Sequence, residues 1–319
     1  MRTTNSFGVT AARNRLEELT HHLEAFNQTQ TVFLPLLGVT LDDQLQRVFG
    51  GITLHRATDE FLKSITKPET TEYIKRQTET FVWAEVTVLA EPHRAASRAE
   101  EACQPLIDVL RFWMACMAPT GTPCAIGLQG DIVTAERPRI INTPDVNHTY
   151  DPHPSRLIPG LPLTDHTMTE LRKVQADSLA NLIPTTHQSK FIKLIFHALH
   201  VFGNGTCAAL NTDRFLNVMM TLEAFLTVGD APINQSVAEG VVIFLVIPVE
   251  ERVRLKKELQ RLYRYCSKIA HGEQANVPFP DLCLLEDLTK TFLLAMLQHR
   301  EQFASKEAFL AALEARRLS

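Results

Sequence analysis

The chain has 319 residues, of which 45% are hydrophobic and 21% are charged, and its formal net charge at pH 7 is −4. This composition is typical of a packed globular protein and excludes general intrinsic disorder. The mildly negative charge gives no overall attraction to nucleic acid, so any RNA binding must depend on a local basic surface. The length favours two domains.

Potential metal-binding and redox residues are scattered. The cysteines lie at positions 103, 116, 124, 207, 266 and 283. Their spacing contains no Cys-x-x-Cys pair and indicates neither a zinc site nor a disulfide framework, so reduced thiols in a cytoplasm fit best. His197 and His200 are three residues apart in a predicted helix, but no third ligand lies nearby. We therefore expect no metal and no cofactor.

The hydropathy pattern gives no sign of a membrane segment. The N-terminus is polar and lacks the apolar run of a signal peptide. The most apolar segment, 237–249, is interrupted by Glu239 and Pro248 and is too short to span a bilayer. We therefore expect a soluble, cytoplasmic protein without membrane association.

The first part of the chain mixes helical and strand patterns. Residues 10–26 fit a short amphipathic helix, and β-prone segments follow it. The predicted strands are 31–37, 51–55, 81–89, 125–132 and 137–142. Strands mixed with helices in this order predict an α+β domain over residues 1–160.

A longer helix is predicted at 97–117, between the third and fourth of these strands. Ser97 and Glu100 have the spacing of a capping box, which predicts that the helix begins at Ser97. Pro105 lies inside this helical pattern and is expected to kink or restart it.

A proline-rich segment separates the two predicted domains. Six prolines lie between Pro138 and Pro162, with Asn, Asp, His and Gly among them. This composition disfavours both helix and strand and predicts a linker or extended strap, so we place the domain boundary near residue 160. Beyond it, the apolar spacing predicts helices at 165–182, 186–203, 212–228, 234–247, 250–271, 279–300 and 304–317. Helix caps are predicted at Thr164, Thr185 and Ser305.

The helix predicted at 250–271 separates a basic face from an apolar face. At 100° per residue, its basic side chains fall within roughly 100° of one another. They are Arg254, Lys257, Arg261, Arg264, Lys268 and His271. The opposite face carries Leu255, Leu259, Leu262, Cys266 and Ile269. A cationic face that ends in a histidine suits the chemistry of an RNA backbone, because histidine titrates near neutral pH. The simpler interpretation is a solvated helix face with Gly272 as its C-terminal cap.

Four segments of the second half form an ordered series. They are 213–216 (Asp-Arg-Phe-Leu), 221–226 (Thr-Leu-Glu-Ala-Phe-Leu), 236–239 (Ser-Val-Ala-Glu) and 262–272. This series resembles the Apea-like branch of the HEPN superfamily, small helical domains found in RNases, toxins and phage-defence proteins. The family's usual ending, Tyr-x-x-Arg-Ser-x-x-x-His-Gly, coincides here at Tyr263, Ser267, His271 and Gly272. The resemblance covers about a third of the chain and implies an all-α, HEPN-like helical bundle over residues 161–319.

One position departs from the family pattern. Where the relatives usually carry arginine, this chain has Cys266. Arg264 lies two residues earlier and is therefore turned by about 200° around the helix axis, so it reaches the same site only with its long stem. Cys266 falls on the apolar face, where a free thiol behaves as a small hydrophobic side chain. The alternative is a degenerate site, in which the helical fold is kept and the catalytic activity is lost.

The resemblance implies a metal-independent endoribonuclease. His271 would act as general acid or base, and Arg264 would hold the scissile phosphate, supported by Lys268 and Ser267. The products would be a 2′,3′-cyclic phosphate and a 5′-hydroxyl. The RNA-binding surface would include Arg254, Lys257 and Arg261.

Glu223 is a further supporting candidate. It interrupts the apolar stripe of the helix predicted at 212–228 and matches the acidic residue of the family's Leu-Glu pair. A carboxylate at the edge of a packed face usually needs a partner, and Arg264 or His271 would supply it from a neighbouring helix. A salt bridge that only holds two helices together is the structural alternative.

The implied assembly is a homodimer. HEPN relatives commonly dimerise, so we expect a C2 dimer through the helical domain, with two copies of Arg264 and His271 across one cleft. The expected role is phage defence, by abortive infection or a toxin-like activity, with RNA as substrate and a phage or host trigger bound by the N-terminal domain. The alternative is a catalytically degenerate interaction module. Cys266 favours the module, whereas the alignment of Arg264 with His271 favours the nuclease.

Overall fold

A computed structural model describes most of the chain. The described ranges are 15–16, 28–41, 45–78, 81–128, 139–143, 146–151, 160–173, 179–183, 189–227, 232–245, 248–273 and 275–318. Within them, a small antiparallel sheet from the N-terminal part is followed by a larger set of helices, which confirms the predicted α+β class. The helix predicted at 10–26 falls almost entirely outside the described residues.

The strands are short apart from two. They are β1 Gln28–Leu37, β2 Val39–Thr40, β3 Gln46–Phe49, β4 Ile52–Arg56, β5 Val82–Ala90, β6 Gly127–Leu128, β7 Arg139–Thr143, β8 Val146–Asp151 and β9 Leu161–Pro162. Five of them form one sheet in the order β3-β4-β5-β1-β6, and its pairs are antiparallel. The strands predicted at 31–37, 51–55 and 81–89 are confirmed.

The helices account for most of the chain beyond residue 160. They are α1 Asp59–Ile65, α2 Pro68–Thr78, α3 Ala95–Met117, α4 Asp165–Lys173, α5 Lys190–Cys207, α6 Asn211–Leu226, α7 Ile233–Phe244, α8 Val249–Ala270, α9 Phe279–Gln298 and α10 Lys306–Leu318. Of the helices in the described ranges, none combines the length and apolar character needed to cross a membrane.

One face of the sheet packs against α3. Leu34 and Leu36 alternate along β1 and are buried, and Ala84 lies opposite Leu34 on β5. The ring of Phe49 at the end of β3 lies 5.6 Å from that of Trp113 in α3, centroid to centroid. Burial of each such large apolar side chain contributes about 1.5–3 kcal/mol, so the sheet holds α3 firmly.

α3 differs from its prediction at two points. It begins at Ala95, directly after a short 3₁₀ turn, so Ser97 lies inside the first turn and the predicted capping box is wrong. Pro105 lies inside the helix, which runs from Ala95 to Met117 as one element. Proline removes one backbone hydrogen bond. The fully buried residues that follow it, such as Leu106 and Leu110, hold the helix in place.

The proline-rich segment contains strands, contrary to the expectation that its composition disfavours them. β7 confirms the strand predicted at 137–142 and pairs with β8 as an antiparallel hairpin, with a register shift between Ile141 and Thr143. β9 pairs in parallel with β2. Most of the prolines precede, separate or follow these strands, so the composition limits the length of the strands without preventing them.

The helices predicted beyond residue 160 are confirmed as α4 to α10, with shifted ends. α4 is described from Asp165 to Lys173, and residues 174–178 of the predicted helix lie outside the described ranges. α5 begins later than predicted because Ser189 caps it. The predicted caps at Thr164 and Ser305 each accept a backbone hydrogen bond, whereas Thr185 lies outside the described residues.

The core continues from the sheet into the helices. α3 lies between them, and its Phe112 contacts Phe202 of α5 with ring centroids 6.0 Å apart. Further rings pack together among the helices: Phe191, Phe225, Phe244, Phe292, Phe303 and Phe309. The residues on both sides of position 160 therefore share one hydrophobic core. The division into domains at that position stays a prediction.

Candidate nucleic-acid interface

The apolar face of α8 is buried, as its sequence pattern predicts. Leu259, Leu262 and Cys266 are buried, and Leu255 and Ile269 pack against the core with part of their surface exposed. This face lies against α6 and α7. Its burial fixes the rotation of α8 about its own axis and therefore decides which side chains face solvent.

The opposite face of α8 is exposed and positively charged. Five side chains form what we call the cationic strip: Arg254, Lys257, Arg264, Lys268 and His271. Among the described residues, no carboxylate forms an ion pair with any member of the strip. The strip therefore presents positive charge to solvent without internal compensation.

Arg261, predicted to bind RNA with the strip, has a different environment. Its Nη1 and Nη2 atoms each lie 2.7 Å from an oxygen of Asp281, and its Nε lies 2.9 Å from Glu258. The paired Asp281 carboxylate raises the pKa of Arg261 above its usual value. The guanidinium of Arg261 binds two carboxylates, and through Asp281 it links α8 to the start of α9. This geometry does not favour the predicted contact of Arg261 with RNA.

A Schellman cap holds the end of α8. Gly272 has φ +77°, and its N–H donates to the Ile269 carbonyl at 3.0 Å. The N–H of Glu273 donates to the Lys268 carbonyl, also at 3.0 Å. These two bonds and the left-handed glycine define the cap, as the simpler interpretation of the sequence predicts. The backbone of His271 is thereby fixed while its side chain stays exposed.

Glu223 does not face the cationic strip. It lies close to Tyr263 and to Cys266. Burial raises the pKa of the Cys266 thiol to about 11, and the Glu223 charge adds to the effect. Within the described part of the chain, the expected pair of Glu223 with Arg264 or His271 is not formed, because Glu223 contacts the opposite side of α8.

The last two turns of α8 bring together part of the predicted site. Arg264, Ser267, Lys268 and His271 are exposed, and the Ser267 carbonyl accepts the His271 N–H at 3.1 Å. Cys266 is only 8% exposed, on the other side. The structure thus groups Arg264, Lys268 and the His271 imidazole with Ser267 at the helix end and separates them from Glu223. This arrangement can bind a phosphate and offers one imidazole for proton transfer.

A buried polar seam between α3 and α5 was not predicted. Asp108 accepts a hydrogen bond from Gln104 at 2.8 Å and contacts His200 Nδ1 at 3.1 Å. Arg111 donates to Asn204 at 2.8 Å. The hydrogen bond to the Asp108 carboxylate raises the pKa of His200. The sequence signal was available: two charges three residues apart interrupt the apolar run 106–114 and so share one helix face.

A second buried group involves a residue from the segments that resemble the HEPN family. Arg214 forms a short, buried ion pair with Glu286. It also donates to the carbonyls of Gly121 at 3.0 Å and Thr122 at 2.9 Å, while the Gly121 N–H donates to Glu286 at 2.9 Å. Arg214 therefore joins α6, α9 and the loop after α3. The described residues contain no group of three side chains suited to hold a metal ion.

Searches against family models, curated proteins and solved structures found no match for this chain. The resemblance to Apea-like HEPN domains consequently depends on the four ordered segments 213–216, 221–226, 236–239 and 262–272.

Proposed function

We propose that this protein is a metal-independent, HEPN-type endoribonuclease that binds single-stranded RNA along the cationic strip of α8. The observation that supports this proposal is the lack of carboxylate partners for the strip among the described residues. Exposed, unpaired cations bind a phosphate backbone with release of its counterions. Nearby cations that already have partners, such as Arg261, have less to gain from RNA.

The proposed reaction uses the end of the strip. His271 takes the proton from a ribose 2′-hydroxyl, and the resulting oxygen attacks the adjacent phosphorus. Arg264 binds the phosphoryl oxygens, where a guanidinium can donate two parallel hydrogen bonds, and Lys268 adds a second positive charge. The 5′-oxygen takes up a proton from the second His271 of the homodimer proposed below and leaves. The products are a 2′,3′-cyclic phosphate and a 5′-hydroxyl.

The proposal includes a homodimer. One imidazole in each chain is a sparse set of groups for proton transfer at both the attacking and the leaving oxygen, and a C2 dimer supplies a second His271. We place the interface in residues 161–319, with His271 near the two-fold axis. The N-terminal domain senses a phage or host component, and the activity serves phage defence in the cytoplasm. Light scattering at micromolar concentrations measures the stoichiometry, and a strict monomer that cuts RNA would contradict the two-chain site.

A cleavage assay with matched histidine variants tests the activity. Purified protein is incubated with total RNA in EDTA, and the cut ends are identified. His271→Ala should reduce cleavage by about 10²–10⁴-fold. Its melting temperature should not change, because the side chain is exposed and its truncation leaves little cavity. His197, exposed on α5, provides the control: His197→Ala should cleave like the wild type. Unchanged cleavage by folded His271→Ala protein would sink the assignment.

A second function is favoured by one specific observation. Cys266 is buried where relatives of the resembling family carry arginine, and burial raises the pKa of its thiol to about 11, so it is uncharged near neutral pH. In this alternative the helical region is a non-catalytic module that docks RNA or a partner on the cationic strip. Wild-type protein would then bind single-stranded RNA in a fluorescence anisotropy assay and leave it intact in the cleavage assay.

A further inference from the structure

Two cysteines meet where the loop after α3 crosses the end of α5. Cys124 is buried, and Cys207, the last residue of α5, is partly exposed. The Cys124 N–H donates to the Thr206 carbonyl at 2.8 Å, which holds the two backbone segments side by side. The two thiols are close enough that each shifts the pKa of the other. Cysteines that lie close together on adjacent backbone segments are the arrangement that a disulfide requires.

A buried arginine lies beside this pair. Cys207 Sγ lies 4.0 Å from the Ile126 carbonyl, and the same carbonyl accepts the Nε of Arg111 at 2.8 Å. The guanidinium therefore shares a hydrogen-bond acceptor with the thiol. Cys207 also lies three residues after Asn204, which binds the other side of Arg111. The pair thus terminates the polar seam between α3 and α5.

The electrostatic surroundings distinguish Cys207 from the other thiols. The neighbouring Cys124 thiol and the positive charge of Arg111 together lower the pKa of Cys207 to about 7, against the effect of burial. Burial raises the pKa of Cys103 and of Cys116 to about 12. Since the thiolate is the nucleophile, Cys207 combines partial exposure with the greatest thiolate character of these three.

We propose that Cys207 is a peroxide-reactive thiol and that Cys124 is its resolving partner, so that a peroxide links the two as a disulfide. The Cys207 thiolate attacks one oxygen of hydrogen peroxide, the O–O bond breaks, and Cys207 becomes a sulfenic acid. The departing hydroxide takes up the proton that the Cys207 thiol released when it ionised, and leaves as water. The Cys124 sulfur then attacks the Cys207 sulfur, the S–O bond breaks, and a second water leaves with the Cys124 proton. Two thiols lose two electrons, and one peroxide is reduced to two waters.

The site is independent of the proposed RNA chemistry. It lies at the contact of α3 and α5, and the residues of the cationic strip are not among its contacts. The disulfide would join segments that are far apart in sequence, since Ile126 and Cys207 are separated by 81 positions. A link of this kind restricts the unfolded chain, so the oxidised protein should melt at a higher temperature than the reduced protein.

Peroxide treatment of the full chain tests the proposal. Reduced protein is exposed to one equivalent of hydrogen peroxide, remaining thiols are alkylated, and peptides are analysed by mass spectrometry. We expect a peptide pair linked through Cys124 and Cys207 that disappears on treatment with dithiothreitol. Cys283, also partly exposed, contacts the Thr120 carbonyl at 3.7 Å and provides the matched control. Cys283→Ser should leave the linked pair unchanged.

Two variants separate the attacking thiol from the resolving thiol. Cys124→Ser should stop the reaction at the Cys207 sulfenic acid, which dimedone traps. Cys207→Ser should leave Cys124 fully alkylatable after peroxide. Wild-type protein gives the decisive result whether or not the variants fold. The proposal is overturned if wild-type Cys207 remains fully alkylatable, or if it reacts no faster than Cys283.

Discussion

Arginines at the centre of this molecule and cations on the surface of α8 differ in what surrounds them. Arg214 is buried and bound by Glu286 and by two backbone carbonyls. Arg264, on the cationic strip, is exposed and has no ion-pair partner among the described residues. A buried charge must be paired to be tolerated, so Arg214 contributes to folding. An exposed, unpaired charge costs little and remains available to a ligand. Both residues are arginines, so the difference between them comes from their surroundings and not from the residue type.

The largest effect is expected from breaking the buried pair. Arg214→Met removes the cationic partner of Glu286 and leaves a carboxylate that is only 3% exposed with the Gly121 N–H as its remaining partner among the described residues. We expect a loss of about 3–5 kcal/mol in the free energy of unfolding. Urea denaturation followed by circular dichroism measures it.

Arg264→Met is the matched control for that substitution. Because Arg264 is exposed and unpaired within the described residues, the loss should stay within about 0.5 kcal/mol. Equal losses of unfolding free energy in the two variants would show that burial does not determine how much each arginine contributes to stability.

An intermediate effect on stability is expected when a positively charged side chain is introduced on the buried face of α8. Cys266→Arg introduces the residue that the resembling family usually carries at this position. The site is 8% exposed and packed, so a large charged side chain should cost about 1–3 kcal/mol of unfolding free energy through overpacking. If Arg264 already supplies the phosphate cation, RNA cleavage should not rise. Thermal melting and the cleavage assay on this one variant measure both quantities.

The opposite outcome of this experiment is equally informative. Glu223 lies close to Cys266 and is able to pair with the new arginine. Increased cleavage with an unchanged melting temperature would show that the site had decayed at Cys266, and that the cationic strip alone is not a nuclease.

The parts of the fold that sequence predicted are those with a strong local pattern. The two faces of α8 follow from period 3.6, and the Schellman cap follows from the His271-Gly272 ending. β1 and β5 follow from runs of β-branched and aromatic residues. These patterns are local, so they can be recognised in the sequence without knowledge of the tertiary structure.

What the sequence did not predict depends on contacts between distant segments. Arg261 appeared equivalent to the other basic residues of α8, and only the position of Asp281 on α9 distinguishes it. Glu223 lies close to Tyr263 and not to the expected Arg264 or His271, because helical arithmetic does not say which side of a neighbouring helix meets a residue. Cys124 lies in the loop after α3, and Cys207 is the last residue of α5. No local sequence pattern predicts that these two segments lie side by side. Pairing of charges and thiols is a tertiary property.

The smallest effect, and the sharpest form of the comparison, comes from two adjacent lysines of α8. Lys256 is paired with Glu239 at 2.5 Å, whereas Lys257 is exposed on the cationic strip with no ion-pair partner among the described residues. Lys257→Ala should reduce the steepness of log affinity for single-stranded RNA against log salt concentration by about 0.7, because one fewer phosphate contact releases counterions. Lys256→Ala should leave that slope unchanged and should lower stability by less than about 1 kcal/mol, since the pair is partly exposed. Fluorescence anisotropy at several salt concentrations measures both slopes. Equal slopes for the two variants would mean that RNA does not distinguish the strip from the rest of α8, and the proposed interface would be wrong even if RNA binding itself were observed.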